Sequence, residues 1–497
     1  MSAETSPTAR PASVPTIRFV LNGREMRVQG IEPDLTVLRW LREHAMLCGT
    51  KEGCAEGDCG ACTVAVAMPD GRGGLTRRTE NACIRLMPQL HGLAVETIEH
   101  LGEGRPDGLH PIQRELIDRH GSQCGFCTPG IAMQLYGAHE NGELTDRAGV
   151  TDALSGNLCR CTGYGPIIEA GEAVGRTPPV TREDDARVAG LLDEIAAGGS
   201  LAYEQGGRSF HQPRSEDELA ALLMQNPEAT VLAGGTDVGL WVAKLHRRMD
   251  AFIEIGRVEG AARVGAIIDG LRVGMAATHR DFHRVMAGRH PDLDTLMRRF
   301  AGAQTRNVGT VCGNVANGSP IGDLNPTLIA LGASVNLRRG DERRSVPIED
   351  FFIAYGQQDR RAGEFVSSID VGELREGDLF HCSKVSKRIE SDISAVLGAF
   401  HLRMDGERIA GARLAFGGMA ATPKRAANAE AALIGRRFDE EAVEAAAAAL
   451  ADDFTPLTDM RASSAYRLTA ASNLLHRFLN ETRGGRRLRD LDALAAA

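Results

Sequence analysis

The 497-residue sequence has no run of consecutive apolar residues long enough to cross a membrane, for which roughly 20 are needed. The Ala-rich stretch 441–451 is too short and has acidic ends. The first residues, Met1 to Pro15, lack the basic start and apolar core of a secretion signal, so a cytoplasmic location is expected. Positive charge is not in excess either: 57 Lys and Arg face 66 Asp and Glu, interspersed, for a formal charge of −9. That leaves no broad basic surface, and neither a nucleic-acid nor a membrane partner is expected. Short clusters such as Arg338-Arg339 and Arg343-Arg344 read as solvated loop charges. No internal repeat, no G-x-G-x-x-G after a strand and no P-loop is present.

What is present is a chain too long for one core, with several domains expected. From Ile17 to Val28, IRFVLNGREMRV alternates apolar and polar residues around Asn22-Gly23, a hairpin signal. The following LTVLRWLREHAML (35–47) places Leu35, Val37, Leu38, Leu41 and Met46 on one helical face. Between 93 and 175 the pattern turns helical, with Pro111 and Pro129 opening helices. Residues 176–200 combine Pro, charge and Gly-Gly and read as a linker with room for one short helix. Beyond 210, short apolar runs alternate with helical stretches; from 393 two strand-like segments precede Ala/Glu-rich helical ones.

Eight of eleven cysteines fall into two tight groups, which in a reducing cytosol points to metal ligation. GCAEGDCGACTV supplies Cys54, Cys59 and Cys62 at C-x4-C-x2-C spacing, with Cys83 21 positions on. This is the plant-type ferredoxin pattern for a [2Fe-2S] cluster, and its glycines let a short loop fold around one. Zinc sites use a different spacing, two C-x2-4-C pairs. QCGFCTPG and NLCRCTGY add Cys124, Cys127, Cys159 and Cys161, each pair at a helix start where free N–H groups favour thiolates. The isolated Cys48, Cys312 and Cys382 are expected to be structural, Cys48 packing as a small apolar side chain. His279, His283 and His290 lack the spacing of a metal site and are expected on helix surfaces or at caps.

The two cysteine runs together resemble the iron-sulfur domains of the molybdenum hydroxylases, the family of xanthine dehydrogenases and aldehyde oxidases. The resemblance continues in VLAGGTDVG (231–239), RNVGTVCGNVANGSPIGDLNPTLIALGA (306–333) and segments near 384–388, 415–420 and 459–463. It implies a multidomain α+β chain. A β-grasp ferredoxin-like domain would span 15–92, an all-α [2Fe-2S] domain 93–175 and a linker 176–203. A two-part α+β FAD-binding domain would follow at 204–380 and a C-terminal α+β flavoprotein domain at 381–490. The flavin contacts it implies are Val231, Leu232, Ala233, Gly234, Gly235, Thr236, Asp237 and Val238, then Phe300 on the isoalloxazine, Thr310, Gly313, Asn314, Asp323, Val366 and Lys384. Gln123 would touch a pterin. Cys312 stands where the family has glycine, so its side chain would have to fit close to the FAD.

In that family substrate is oxidised at a molybdenum site in a larger domain. With the sequence ending at Ala497, the resemblance implies a large molybdopterin-binding partner subunit and a heterotetramer of two small and two large subunits. Two [2Fe-2S] clusters and FAD would carry electrons onward to NAD⁺, with no acid or base catalyst in this chain. Fusion of the iron-sulfur and FAD parts favours xanthine over aldehyde, carbon monoxide or N-heterocycle substrates. A self-sufficient flavin NADH dehydrogenase, and a redox sensor or scaffold without catalysis, stay open as alternatives.

Overall fold

The computed structural model describes residues 15–179 and 184–485; parts of the expected N-terminal segment, linker and C-terminal domain (1–14, 180–183, 486–490) lie outside the described residues. Among the described residues no helix is long and apolar enough to cross a membrane.

The first unit is a five-stranded sheet ordered Arg24–Val28, Ile17–Leu21, Ala94–Glu96, Thr63–Pro69, Leu75–Asn81. The central pair, Ile17–Leu21 and Ala94–Glu96, is parallel and the other pairings antiparallel, a β-grasp arrangement. Asn22 and Gly23 both take positive φ (49° and 78°), as a two-residue hairpin requires. The helix is shorter than its pattern predicts, Val37–Glu43, started by the Thr36 side chain accepting from Arg39 N. Its buried Val37, Leu38, Trp40 and Leu41 pack on the sheet, Trp40 edge-on to Phe19 at 5.5 Å. Met46, expected on that face, lies past the helix end at φ 57° and is 72% exposed.

Four helices follow: Pro111–Asp118, Thr128–Glu140, Arg147–Leu154 and Gly165–Gly175. Thr128–Glu140 is their core; Gly130 to His139 are all buried, and Tyr136 donates to Glu96 of the sheet at 2.9 Å. The helix Asp185–Ala196 is bound back to the same sheet through Arg77, which pairs with both Glu96 and Asp185.

The next unit has two sheets. The smaller is ordered Leu201–Gln205, Arg208–Gln212, Ala251–Glu254, Thr230–Leu232, with its last two pairings parallel. The larger is antiparallel, ordered Val264–Ile267, Gly270–Gly274, Phe365–Gly372, Ser334–Arg339, Glu342–Pro347. The last unit is a four-stranded sheet, led by Leu379–Val385, Val396–Asp405 and Arg408–Gly417, that shares an apolar core with helices Ala427–Leu433, Glu440–Asp453 and Ser464–Thr482.

Candidate functional site: two cysteine loops and a flavin-type crevice

The loop after the first helix wraps the Cys54 sulfur with backbone amides: the N–H groups of Glu56, Asp58 and Cys59 each point to Sγ at 3.4 Å. Hydrogen bonds from the Cys59 and Cys83 thiols add to these, holding Cys54 down at about 2, while Cys59 and Cys83 are pushed up. Cys83 meets Cys62 as well, so all four thiols are in one contact chain. There is no room for a side chain beside them, since a Cβ on Gly53 would stand 2.7 Å from the Cys59 sulfur.

In the second group Cys124 meets Cys161, and Cys127 meets Cys159. Cys127 is the N-cap of the helix Thr128–Glu140. Cys159 lies against the Thr162 hydroxyl at 3.1 Å, and its N–H donates to the Tyr164 hydroxyl at 2.8 Å. Among the described residues no three Cys, His, Asp or Glu side chains gather as they would around a single metal ion. Two thiol pairs are the donor set of a two-iron cluster, with four cysteines shared by two irons, so the residues fit that group. Gln123, Cys124 and Cys161 are exposed, as are Phe126 and Leu158 beside them. Replacing Cys161 with Ser is expected to leave about two irons per chain, held by the first group alone, with flavin unchanged. Iron assay against absorbance of the same sample checks this.

The strand Thr230–Leu232 ends in Ala233-Gly234-Gly235-Thr236, with Gly235 at φ 74°, and Asp237 then opens the helix Val238–Ala243. Gly234 lies against the Val308 carbonyl so closely that a Cβ would fall on that oxygen. The two flavin-type segments therefore meet backbone to backbone. Thr310, next along the second segment, caps the helix Val311–Asn317 by accepting from Gly313 N at 3.1 Å. On that helix the buried Asn314 Oδ1 has no partner.

Ala233, Gly234 and Thr310 line a cavity of about 330 Å³, together with Gln212 and Glu254 at the carboxyl ends of two parallel strands. Its charges are Arg77, Arg78, Arg85, Arg257, Arg280 and Arg284 against Glu254 and Asp281. Burial brings Arg257 and Arg280 down to about 10. Buried within it, Arg85 Nε and Gln212 Oε1 have no partner. Most of these arginines already pair with carboxylates, Arg77 with Glu96 and Asp185, Arg78 and Arg85 with Glu80, and Arg280 with Glu143, so what fits the FAD diphosphate is the glycine turn itself.

The other flavin contacts that the resemblance implies, Val231, Leu232, Gly235, Thr236, Asp237, Val238, Phe300, Gly313, Asn314, Asp323, Val366 and Lys384, do not line that cavity. Lys384 Nζ binds Asp323 Oδ2 at 2.6 Å, and the Lys384 carbonyl accepts from Arg299, the neighbour of Phe300. Val366 is buried in the central strand of the larger sheet. His279, expected at a surface or cap, is instead buried against Phe300, ring centroids 4.4 Å apart, and burial lowers it to about 3. The helical spacing around it predicted a solvent face, and nothing in that spacing signals the Phe300 contact. His290 caps a helix as expected, and His283 binds Asp294 at 2.8 Å.

The Cys312 sulfur lies 3.6 Å from the Gly274 carbonyl and 3.7 Å from the Val273 carbonyl, within the apolar core. Cys382 is buried too. Cys48 is not: it is exposed on a loop beyond the end of the helix. Cys48→Ser should accordingly change stability by less than about 0.5 kcal/mol and leave iron content unchanged, as read by thermal melting and iron assay.

Three family models match the chain: a [2Fe-2S] binding domain over residues 97–172, the FAD binding domain in molybdopterin dehydrogenase over 203–372, and the CO dehydrogenase flavoprotein C-terminal domain over 381–482. Xanthine dehydrogenase of Emericella nidulans is 30% identical across 94% of this chain, and xanthine dehydrogenase/oxidase of Gallus gallus 30% across 90%. The chain spans 38% of the length of each. Among solved structures, carbon monoxide dehydrogenase from Hydrogenophaga pseudoflava is 30% identical with a TM-score of 0.52, covering 55% of this chain and 95% of that one. Quinoline 2-oxidoreductase from Pseudomonas putida 86, at 24% identity and a TM-score of 0.50, shares the fold.

Proposed function

The chain belongs to the molybdenum hydroxylase family as an iron-sulfur and FAD electron-transfer module, and on that premise we propose that it serves a xanthine dehydrogenase. The observation that carries the choice of substrate is the extent of the likeness. Xanthine dehydrogenase of Emericella nidulans aligns across 94% of the chain and xanthine dehydrogenase/oxidase of Gallus gallus across 90%. The carbon monoxide dehydrogenase chain is used up by 55% of it.

In this reading Cys54, Cys59, Cys62 and Cys83 hold one [2Fe-2S] cluster and Cys124, Cys127, Cys159 and Cys161 the other. The 231–238 turn with Thr310, Gly313 and Asn314 holds FAD. When bound, the clusters supply one-electron steps and FAD the two-electron exchange with NAD⁺. The protein's own part is placement. Gly239 packs on the Ile84 carbonyl next to Cys83, and Gln89 donates to the Ala233 carbonyl at 3.0 Å, which seats the flavin turn beside the first cysteine loop. The exposed Gln123, Cys124 and Cys161 leave the second loop facing outward, towards a molybdopterin-binding large subunit in a heterotetramer.

The test is to purify the chain with its partner, measure iron, flavin and molybdenum, and add xanthine with and without NAD⁺. NADH formation with two clusters and one FAD per chain supports the reading. Intact cofactors that xanthine does not bleach would move the substrate to an aldehyde or N-heterocycle.

A further inference from the structure

The two loops that the proposed function assigns to the two clusters meet, at one buried point, the loop after Phe300, which the family resemblance gives to the flavin. Gly60 lies between Cys59 and Cys62, and a Cβ there would collide with the Gly156 carbonyl, three residues before Cys159. On its other side Gly156 faces Gly302, two residues past Phe300, at 2.8 Å from where its own Cβ would stand. Backbone hydrogen bonds fasten the same contacts: Leu158 N–H donates to the Cys59 carbonyl at 3.0 Å and Ala303 N–H to the Ser155 carbonyl at 2.8 Å.

At the centre is one side chain, Gln304, which is 1% exposed. Its Nε2 donates to Asn157 Oδ1 at 2.5 Å and to Thr63 Oγ1 at 3.1 Å. Asn157 in turn donates to the Gly60 carbonyl at 3.2 Å, and Thr63 to the same oxygen at 2.6 Å. Thr63 and Asn157 thus spend their donors on the first cysteine loop and offer acceptors to Gln304. Thr63 Oγ1 also accepts from Asn157 Nδ2 at 3.4 Å, so it is Asn157 Oδ1 that needs the donor at position 304, and an unmade bond there leaves that buried acceptor unpaired; Gln304 Oε1 has no partner.

We propose that Gln304 is a positioning residue, whose amide locks the two cysteine loops and the flavin-side loop at one spacing and so fixes the distance an electron must cross between the clusters. The inference rests on the cluster assignment above. With both clusters bound, one electron would pass from the reduced [2Fe-2S] centre to the oxidised one, and no proton need move.

The experiment uses the full chain with its partner and compares wild type, Gln304→Ala and Gln304→Glu. Two quantities are read: the spin–spin splitting in the electron paramagnetic resonance spectrum of the fully reduced protein, and the rate of flavin bleaching after mixing with xanthine or, if xanthine does not react, a low-potential dye. Both variants are expected to keep iron and flavin, to lose much of the splitting and to bleach severalfold more slowly. A buried carboxyl has a raised pKa and regains a donor once protonated, so Gln304→Glu should recover as pH falls from 8 to 6 while Gln304→Ala should not. Where Gln304→Ala does not retain iron, Thr63→Val, which removes one acceptor of Gln304 together with the hydroxyl's bond to the Gly60 carbonyl, takes its place. Unchanged splitting and rate in cofactor-replete variants, or a Gln304→Glu protein that behaves as wild type at every pH, overturns the proposal. Wild type without iron overturns the cluster assignment instead.

Discussion

Lys384→Met is expected to destabilise the chain by about 3–5 kcal/mol, the cost of stranding one member of a buried ion pair. Lys384 comes from the strand Leu379–Val385 and Asp323 from the start of the helix Leu324–Ala330, so their 2.6 Å contact joins the third unit to the fourth. Both side chains are buried, and Asp323 has one further donor, the Ser394 hydroxyl on its other oxygen. With the ammonium gone, that hydroxyl alone cannot replace the water a carboxylate needs. Adding Asp323→Asn to Lys384→Met should recover a large part of the loss, because a neutral amide is far cheaper to leave buried. Urea denaturation midpoints of the two single variants and the double one make the comparison. A loss below about 1 kcal/mol for Lys384→Met would mean that water reaches the pair, as for surface ion pairs. The family resemblance gives both residues to the flavin, so flavin content should be read on the same samples.

The cysteine groups were legible in the sequence because their spacing reflects local geometry: a short loop that must fold around a cluster needs its thiols and glycines close in sequence. The Asn22-Gly23 hairpin was legible for the same reason, as a two-residue turn admits few residue types. What local pattern could not give was the end of the first helix, where helical spacing continues to Met46 but the chain leaves the helix after Glu43. It also misplaced Cys48, whose exposure depends on that early exit. His279 shows the limit in the other direction. On its own helix it looks like one of several solvent-facing polar residues, and Phe300, brought in from 21 positions away, covers it together with the Gly309 segment. Gln304 left no sequence signal in isolation, since its partners Thr63 and Asn157 lie 241 and 147 residues away.

Gly234→Ala is expected to weaken FAD binding by about tenfold or more while leaving iron content at the wild-type level. The added methyl would fall on the backbone oxygen of Val308, which cannot swing aside as a side chain can, so one of the two flavin-type segments must move. Overpacking of this kind costs about 1–3 kcal/mol, which corresponds to a loss of roughly 5- to 150-fold in affinity. Gly235→Ala is the control. There φ is 74°, and a Cβ would come no nearer than 3.4 Å to any atom, the closest being Gln89 Oε1. That substitution therefore carries only the left-handed backbone penalty, about 1–2 kcal/mol, and no clash. Flavin retained after extensive dialysis, normalised to iron, should fall in the order wild type, Gly235→Ala, Gly234→Ala. The reverse order would show that the two segments do not meet at Gly234 in the folded protein, and the crevice between them would then need another ligand than FAD.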